Sequence, residues 1–237
     1  MAFKFNIERD ELAERLGGGI PEGSLVVIEG EYGSGKSILL QRLVYGILEN
    51  NHSVSYVSSE LTTINFLDQM YSLDYGVEEH VLAERLVFIP VYTILGYRAP
   101  KVDTLDRILK ARRMYQKDII AVDSFSNLLK NWIKSLPPDV ELTNKIEEAV
   151  YFFKLLNSQG KTVILTMETG EVPEPVIQLL RAAADVYLSL RLDVVGNNVS
   201  RSVLVRRFAR APKGVADVVN FRVEPKTGFI VEIKSVS

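Results

Sequence analysis

The sequence has no cysteine and only two histidines, His52 and His80. The lack of cysteine excludes disulfide frameworks, thiol nucleophiles and cysteine-based zinc or iron–sulfur sites, and two histidines are too few for a histidine-rich metal site. An excess of one charge is also missing, because 28 basic residues face 30 acidic ones and leave a net charge of −2. No global field therefore favours nucleic acid or an anionic membrane, and any such binding has to be local.

Long apolar runs are absent as well, since no stretch of about 18 uncharged apolar residues occurs. The N-terminus lacks the basic segment followed by an apolar run that a secretion signal requires. We therefore expect a cytoplasmic protein without a membrane-inserted segment. Such a protein can still lie at a membrane complex by binding another protein.

What is present is the composition of an ordinary globular chain of 237 residues, 47% of them hydrophobic and 24% charged. Short apolar runs alternate with longer amphipathic stretches, which is the pattern of βαβ units around a mostly parallel sheet. The expected strands are 25–29, 54–58, 86–90, 118–123 and 162–166. The expected helices lie near 36–50, 63–75, 100–116, 139–158 and 173–183. The pattern therefore predicts an α/β fold with helices on both faces of the sheet.

The pattern changes after about residue 185. Four further strands are expected at 185–193, 199–208, 217–224 and 228–233. Turn residues at 196–198 and 226–228 separate the members of each pair. We expect residues 185–237 to form an antiparallel β-meander that extends the parallel sheet within a single domain, 1–237.

The strongest motif is Gly30-Glu31-Tyr32-Gly33-Ser34-Gly35-Lys36-Ser37, a full match to G-x-x-x-x-G-K-[ST] between an apolar strand and an amphipathic helix. The glycines allow backbone N–H groups to turn around a phosphate, and the helix adds its N-terminal dipole. Lys36 is predicted to reach the β- and γ-phosphates, and the hydroxyl of Ser37 to coordinate Mg²⁺. The alternative, a glycine turn with a solvated lysine, does not explain why motif and context agree.

The predicted phosphate site consists of the loop residues Gly30, Tyr32, Gly33, Ser34, Gly35, Lys36 and Ser37. Tyr32 and Phe229 are also candidates for contacts with a base, although packing is the simpler interpretation of both.

Asp123 closes the apolar run 119–122, where the C-terminal edge of a parallel sheet places it near the lysine and hydroxyl of the loop. A P-loop site needs an acid there to hold the magnesium shell, directly or through water. The alternative is that Asp123 caps a helix or turn, and one residue can do both. Thr166 and Glu168, at the end of a later strand, are candidates for sensing the γ-phosphate, with ordinary loop polarity as the alternative.

Glu60 follows the strand 54–58 and is the candidate that orients or deprotonates water for hydrolysis. Leu61 comes next, so an adjacent second acid is missing. Glu60 can instead be an acid near the start of the helix 63–75, where the helix dipole favours a negative charge.

Several segments resemble a known group of ATPases. Residues 16–23, Leu-Gly-Gly-Gly-Ile-Pro-Glu-Gly, resemble the entry of RecA-superfamily ATPases of the KaiC type. The segments similar to the FlaH family of archaellum (archaeal flagellum) accessory proteins are 58–63, 69–73, 88–92 and 221–226. The likeness spans nearly the whole chain. It implies a RecA-like fold and an ATP-binding, KaiC-like subunit of the archaellum motor platform, working beside the secretion-type motor ATPase FlaI and a membrane-associated scaffold.

The resemblance also implies roles for individual residues. Lys36 and Ser37 match the Walker A lysine and hydroxyl, Asp123 the Walker B acid, and Glu60 the first acid of the KaiC catalytic pair. Leu61 departs from the second acid, so efficient hydrolysis is not implied. We expect a subunit that binds ATP and Mg²⁺, hydrolyses slowly or not at all, and uses its nucleotide state to control assembly. The alternatives are an active KaiC-like ATPase or autokinase and a recombinase-like DNA-binding ATPase.

A basic run without a single acid lies between residues 200 and 214. Its members are Arg201, Arg206, Arg207, Arg210 and Lys213. One interpretation is a solvated face. A second, implied by KaiC-like rings, is an arginine that completes the γ-phosphate site of a neighbouring subunit in a homo-oligomeric ring, with Arg207 as the first candidate although the KaiC spacing is not reproduced. A third, a nucleic-acid patch, is disfavoured because no interleaved aromatic residues accompany the run.

Overall fold

A nine-stranded sheet forms the centre of the computed structural model, which describes residues 1–91, 108–136, 142–195 and 198–232. A separate small sheet pairs β1 (Ala2–Phe3) with β2 (Ile20–Pro21). The strands of the large sheet are β3 (Leu25–Gly30), β4 (Val54–Ser58), β5 (Leu86–Pro90), β6 (Ile119–Asp123), β7 (Thr162–Glu168), β8 (Val186–Val195), β9 (Asn198–Phe208), β10 (Val218–Glu224) and β11 (Gly228–Glu232).

The helices lie on both faces of this sheet. They are α1 (Leu12–Arg15), α2 (Lys36–Glu49), α3 (Thr63–Ser72), α4 (Glu78–Leu82), α5 (Phe125–Ser135), α6 (Leu142–Ser158) and α7 (Glu174–Ala183), with a short 3₁₀ helix at Arg112–Tyr115. Within the described ranges, no helix has the length and apolar character that crossing a membrane requires.

The strand order across the sheet is β11-β10-β9-β8-β3-β7-β6-β4-β5. Neighbouring strands run parallel from β8 through β5. The strands β8, β9, β10 and β11 pair antiparallel in succession. The expected architecture, a mostly parallel sheet with a C-terminal antiparallel extension, is therefore confirmed.

The register of the parallel strands determines which residues meet at their carboxyl ends. Ser58 of β4 pairs with Asp123 of β6. Gly30 of β3 pairs with Glu168 of β7 on one side and with Leu190 of β8 on the other. The residues that end β3, β4, β6 and β7 therefore converge on one edge of the sheet, where ligands bind in open α/β folds.

Alternate residues of the central strands enter two separate hydrophobic cores. In β3, Val26 and Ile28 pack into the core covered by α2 and α3, whereas Leu25 and Val27 pack into the core covered by α5, α6 and α7. Successive side chains of a strand point to opposite faces, so a strand covered on both faces has to be apolar throughout. This explains why the central strands read as continuous apolar runs.

Helix α5 is missing from the helices that the sequence pattern predicts. Its buried residues are Phe125, Leu128, Leu129 and Trp132, which recur at helical spacing. The helix has 11 residues, and the segment Asp-Ser-Phe-Ser that overlaps its start reads as a polar turn. The turn-like composition therefore hides a short amphipathic helix directly after Asp123.

Other predicted elements differ at their ends. The helix predicted at 63–75 ends at Ser72, and Asp74 then adopts a left-handed φ of 58°. Residues 100–107 of the helix predicted at 100–116, the start of the helix predicted at 139–158 and most of the turn predicted at 196–198 lie outside the described residues.

The N-terminal segment is fastened to α2 by a buried ion pair. Arg42 of α2 is fully buried and lies 2.5 and 2.7 Å from the two carboxylate oxygens of Asp10, while its third nitrogen donates to the carbonyl of Phe5 at 3.0 Å. Gly46, one turn further along α2, lets this segment pass, because a Cβ there would lie 2.1 Å from the carbonyl oxygen of Phe5. The N-terminal residues therefore depend on α2 for their position.

Breaking this pair is expected to destabilise the protein strongly. Asp10→Asn leaves the Arg42 guanidinium buried without its counter-charge, so the free energy of unfolding should fall by about 3–5 kcal/mol. Urea denaturation measures this change. Glu11→Gln, which breaks the exposed pair between Glu11 and Arg15, is the matched control and should cost at most about 1 kcal/mol. Equal effects of both substitutions would contradict the expectation.

Candidate nucleotide-binding site

The loop between β3 and α2 has the shape of a phosphate cradle. Gly33 and Gly35 adopt φ angles of 76° and 97°, which L side chains rarely take, and α2 begins at Lys36 without a side-chain cap. Position 30 has room only for glycine, because a Cβ there would lie 2.6 Å from Ser34 Oγ. Ser34 Oγ is itself buried and has no hydrogen-bond partner among the described residues. The backbone N–H groups and this hydroxyl are therefore ready to receive an anion.

Lys36 reaches across the mouth of this loop. Its Nζ donates to the carbonyl of Glu31 at 2.8 Å and lies 3.7 Å from Glu168 Oε2. Burial lowers the pKa of Lys36 below its usual value, and the carboxylates of Glu168, Asp123 and Glu60 oppose this shift. These contacts keep the ammonium near the loop, where phosphate oxygens can replace them.

Asp123 ends β6 as a fully buried carboxylate surrounded by hydroxyl donors. Ser37 Oγ and Thr166 Oγ1 donate to Oδ1 at 2.9 and 2.8 Å, and the Tyr56 hydroxyl donates to Oδ2 at 2.9 Å. Burial raises the pKa of Asp123, while the hydrogen bonds from these groups counteract the rise. The N-cap position of α5 is Ser124, which makes no side-chain cap bond. The carboxylate thus faces Ser37, as the magnesium interpretation requires.

Glu60 lies on the rim of the same cleft, exposed and just beyond β4. Desolvation raises its pKa, the negative charges of Asp123 and Glu168 add to the rise, and a hydrogen bond with Ser124 opposes it. The side-chain cap of α3 is Thr62, whose oxygen accepts from a backbone N–H at 3.2 Å. Thr62 therefore supplies the side-chain cap, while Glu60, two residues before it, can still interact with the dipole of α3.

Thr166 and Glu168 have different surroundings although both lie at the end of β7. Thr166 is buried, and its hydroxyl accepts from the Ser124 N–H at 2.7 Å and donates to Asp123. Glu168 lines the cleft and faces Lys36. Of the two, only Glu168 is placed to meet a terminal phosphate.

The cleft at the loop has a volume of about 410 Å³, within the range of about 300–1,000 Å³ typical of small-molecule sites. Residues outside the loop that line it are Ile38, Glu60, Gln69, Ser124, Glu168, Arg201 and Val223. A larger opening of about 690 Å³ lies elsewhere, between the N-terminal residues and Arg210 and Lys213. None of the motif residues 30–37 line that opening, so the smaller cleft is the better candidate for binding phosphate.

The basic run is divided among three places in its own chain. Arg201 Nε donates to the carbonyl of Gly33 at 3.2 Å and so belongs to the P-loop cleft. Arg207 lies at the C-terminus of α7, with Nη1 2.7 Å from the carbonyl oxygen of Ala184. Arg210 donates to two carbonyls of the turn before β3, at 3.0 and 3.1 Å. Sequence reasoning missed Arg201 as a residue of the site, because no motif separates it from its basic neighbours.

The two aromatic candidates also differ in environment. Tyr32 is 85% exposed on the loop, free to meet a ligand. Phe229 is buried, and its ring stacks on Phe221 at 4.3 Å. Phe229 therefore packs in the core, while Phe221 lies against Gly35 and supports the loop.

Comparison with known proteins agrees with this geometry. The family model that matches residues 7–235 is described as ATPase: KaiC. The chain is 38% identical to the archaeal flagellar ATP-binding protein FlaH of Methanocaldococcus jannaschii over 99% of its own length and 97% of the relative's. It is 36% identical to the protein of the same name from Methanococcus voltae, over 99% and 98% of the two chains.

The chain belongs to the FlaH family of KaiC-like ATPases. The crystal structure of the flagellar accessory protein FlaH from Methanocaldococcus jannaschii matches it with a TM-score of 0.90 and 37% identity, over 99% of this chain and all of that one. The RecA/KaiC-like α/β fold expected from the sequence is thereby confirmed, as is the resemblance to FlaH.

Arg207→Ala is expected to lower stability without affecting nucleotide binding by the isolated chain. The substitution removes hydrogen bonds to the last carbonyls of α7 and a cation from the negative end of its dipole, so it should cost about 1 kcal/mol in the free energy of unfolding. Urea denaturation measures the change in stability, and nucleotide titration measures the affinity. Arg206→Ala, a substitution of the exposed neighbour, is the control and should change neither. Weaker nucleotide binding by a fully stable Arg207→Ala variant would contradict it.

Proposed function

We propose that the protein binds ATP with Mg²⁺ at the β3–α2 loop and serves in the archaellum motor complex as a subunit whose nucleotide state controls its assembly. The observation that carries this proposal is the glycine cradle with Lys36 beside it and the Ser37–Asp123 contact at its edge. The proposal treats residues 1–237 as one ATP-binding domain, with 185–237 as part of it.

The phosphates of ATP would lie along the loop. Lys36 would exchange the Glu31 carbonyl and Glu168 for phosphate oxygens, and the unpaired hydroxyl of Ser34 and the N–H groups at the start of α2 would add donors. Charge-assisted hydrogen bonds of this kind are stronger than neutral ones.

The residues beside the loop also fit Mg²⁺. The Ser37 hydroxyl and the Asp123 carboxylate are hard oxygen donors 2.9 Å apart. Among the described residues no group of three or more acidic residues and histidines could hold a metal ion, which suits an ion that keeps several waters and takes phosphate oxygens as ligands. Bound there, Mg²⁺ would neutralise charge on the β- and γ-phosphates.

The names of the two relatives, archaeal flagellar ATP-binding proteins, support a place in the archaellum. The partners we propose are the motor ATPase FlaI and a membrane-associated scaffold, with contact to the membrane through those proteins. Bound phosphates and Mg²⁺ would contact the loop, Asp123 and Glu60. If these contacts differ between nucleotide states, they shift the populations of the conformations of neighbouring loops, to which a partner can bind. We propose that the assembled form is a homo-oligomeric ring.

A switch of this kind does not need fast hydrolysis. Glu60 is followed by Leu61, so one acid stands where the KaiC pair has two. The second candidate function is an active KaiC-like ATPase, favoured by the position of Glu60 on the cleft and its raised pKa. The basic run does not favour a DNA-binding function, because Arg201, Arg207 and Arg210 all bond to the chain's own backbone.

Lys36→Ala is expected to weaken ATP binding by about 100-fold or more, because the lysine's contacts in the bound state are with charged phosphate oxygens. Titration with a fluorescent ATP analogue measures the affinity, and thermal unfolding shows that the variant is folded. Lys4→Ala, at the separate N-terminal opening, is the control and should bind as the parent does. A folded Lys36→Ala variant with unchanged affinity would refute the P-loop site.

The same variant tests the switch. Mass measurement with ATP and Mg²⁺, with and without the scaffold protein, should show assembly by the parent and reduced assembly by Lys36→Ala. Equal assembly by both proteins would refute nucleotide control while leaving nucleotide binding intact.

Glu60→Gln separates a switch from an active ATPase. The amide keeps size and hydrogen bonding but cannot act as a base, so ATP affinity should stay within about threefold of the parent and slow phosphate release should fall. Multiple-turnover phosphate release measures this, with Glu78→Gln on the exposed side of α4 as the control. A parent turnover of about 1 per second or faster that falls 100-fold in the variant would instead favour the enzyme.

A further inference from the structure

A buried tyrosine reaches the Asp123 carboxylate from the neighbouring strand. Tyr56 of β4 has no exposed surface, and its hydroxyl donates to Asp123 Oδ2 at 2.9 Å. In the register of β4 and β6, Tyr56 pairs with Ala121 and Ser58 with Asp123. The phenol therefore extends along the strand direction to reach a carboxylate two residues further on.

The ring of Tyr56 is held by aromatic neighbours. It packs against Phe66 of α3 with ring centres 4.8 Å apart and against Phe88 of β5 at 5.8 Å. Phe66 and Phe88 also stack on each other at 4.3 Å. A side chain packed in this way has one position for its hydroxyl, so the donor is fixed before any ligand binds.

The two oxygens of Asp123 have separate partners. Oδ1 accepts from Ser37 and Thr166, whereas the described side chains provide Oδ2 with one donor, Tyr56. A phenol hydroxyl has one proton to donate, and an ionised carboxylate can only accept, so Tyr56 is the donor in this contact.

We propose that Tyr56 is a positioning residue for the metal site: it holds Oδ2 so that Oδ1 stays directed at Ser37 and the magnesium shell. This role rests on the proposed binding of ATP with Mg²⁺. A carboxylate held on one oxygen loses its rotation about the side-chain bond, and the partners that orient metal-binding groups contribute strongly to metal affinity. A role in packing alone would be met equally well by phenylalanine.

Tyr56→Phe tests the role because it removes the hydroxyl and keeps the packed ring. ATP affinity is measured by titration in excess Mg²⁺ and again in excess EDTA, and the ratio of the two affinities reports the contribution of the metal. We expect this ratio to fall about tenfold or more in Tyr56→Phe, while the affinity in EDTA stays within about twofold of the parent. Thermal unfolding confirms that the variant is folded.

Tyr75→Phe is the matched control. Tyr75 is also buried, and its hydroxyl accepts from the Phe229 N–H at 2.9 Å instead of donating to Asp123. This variant should lose stability and keep the parent's affinity ratio, since a structural hydroxyl does not act on the metal. A ratio that falls equally in both variants would overturn the role of Tyr56.

A double-variant cycle tests whether Tyr56 acts through Asp123. With Asp123→Asn already present, adding Tyr56→Phe should leave the affinity ratio unchanged, because the oriented carboxylate is gone. Additive losses would overturn the role. If the parent binds ATP more tightly with Mg²⁺ and Tyr56→Phe keeps the same affinity ratio, the role of Tyr56 is overturned and the metal site stands. If the parent binds ATP equally with and without Mg²⁺, the proposed metal site itself is overturned.

Discussion

A buried carboxylate at the carboxyl edge of the sheet is the constraint on which the site depends. Asp123 has 2% of its surface exposed, and an ionised group in that position is stable only where donors surround it. The donors come from three elements, Ser37 from α2, Tyr56 from β4 and Thr166 from β7. The parallel register brings Tyr56 and Thr166 to this carboxylate, and the loop after β3 brings Ser37. Because Asp123 is bonded to all three donors, its carboxylate fixes the positions of α2, β4 and β7 relative to one another.

The charged side chains in the cleft determine which ligand can bind there. Lys36 is one ammonium near the carboxylates of Asp123, Glu60 and Glu168. A triphosphate adds further negative charge at short range, where repulsion is strong and weakly screened. The backbone N–H groups offset part of this repulsion, and a divalent cation would offset more. These carboxylates are only partly offset by Lys36 and by Arg201 on the cleft wall, which is why we expect a divalent cation to have a large effect on nucleotide affinity.

Much of the fold and the centre of the site could be predicted from local sequence, because a P-loop is a local structure and buried strands are continuous apolar runs. Gly33, Gly35 and Lys36 have the conformations and neighbours that the motif implies. The role of Tyr56 could not be predicted, because a tyrosine in an apolar strand resembles any core residue until the pairing of its strand with the neighbouring strand is known. Helix α5 was hidden by a turn-like start. The first omission concerns a contact made across the sheet, which spacing along one segment does not encode, whereas the second comes from local composition.

The basic run shows the same limit and also how the C-terminal strands support the loop. Glu29, which directly precedes Gly30, is buried, and hydrogen bonds from Arg181 and Tyr187 outweigh that burial and hold its pKa below the usual value. Arg207 bonds the last turn of the helix that carries Arg181. The chain of contacts from Arg207 through α7 to Glu29 thus ends at the first glycine of the cradle. Nη1 of Arg207 is bonded to carbonyls at the end of α7, whereas Arg201 lies in the cleft of its own chain.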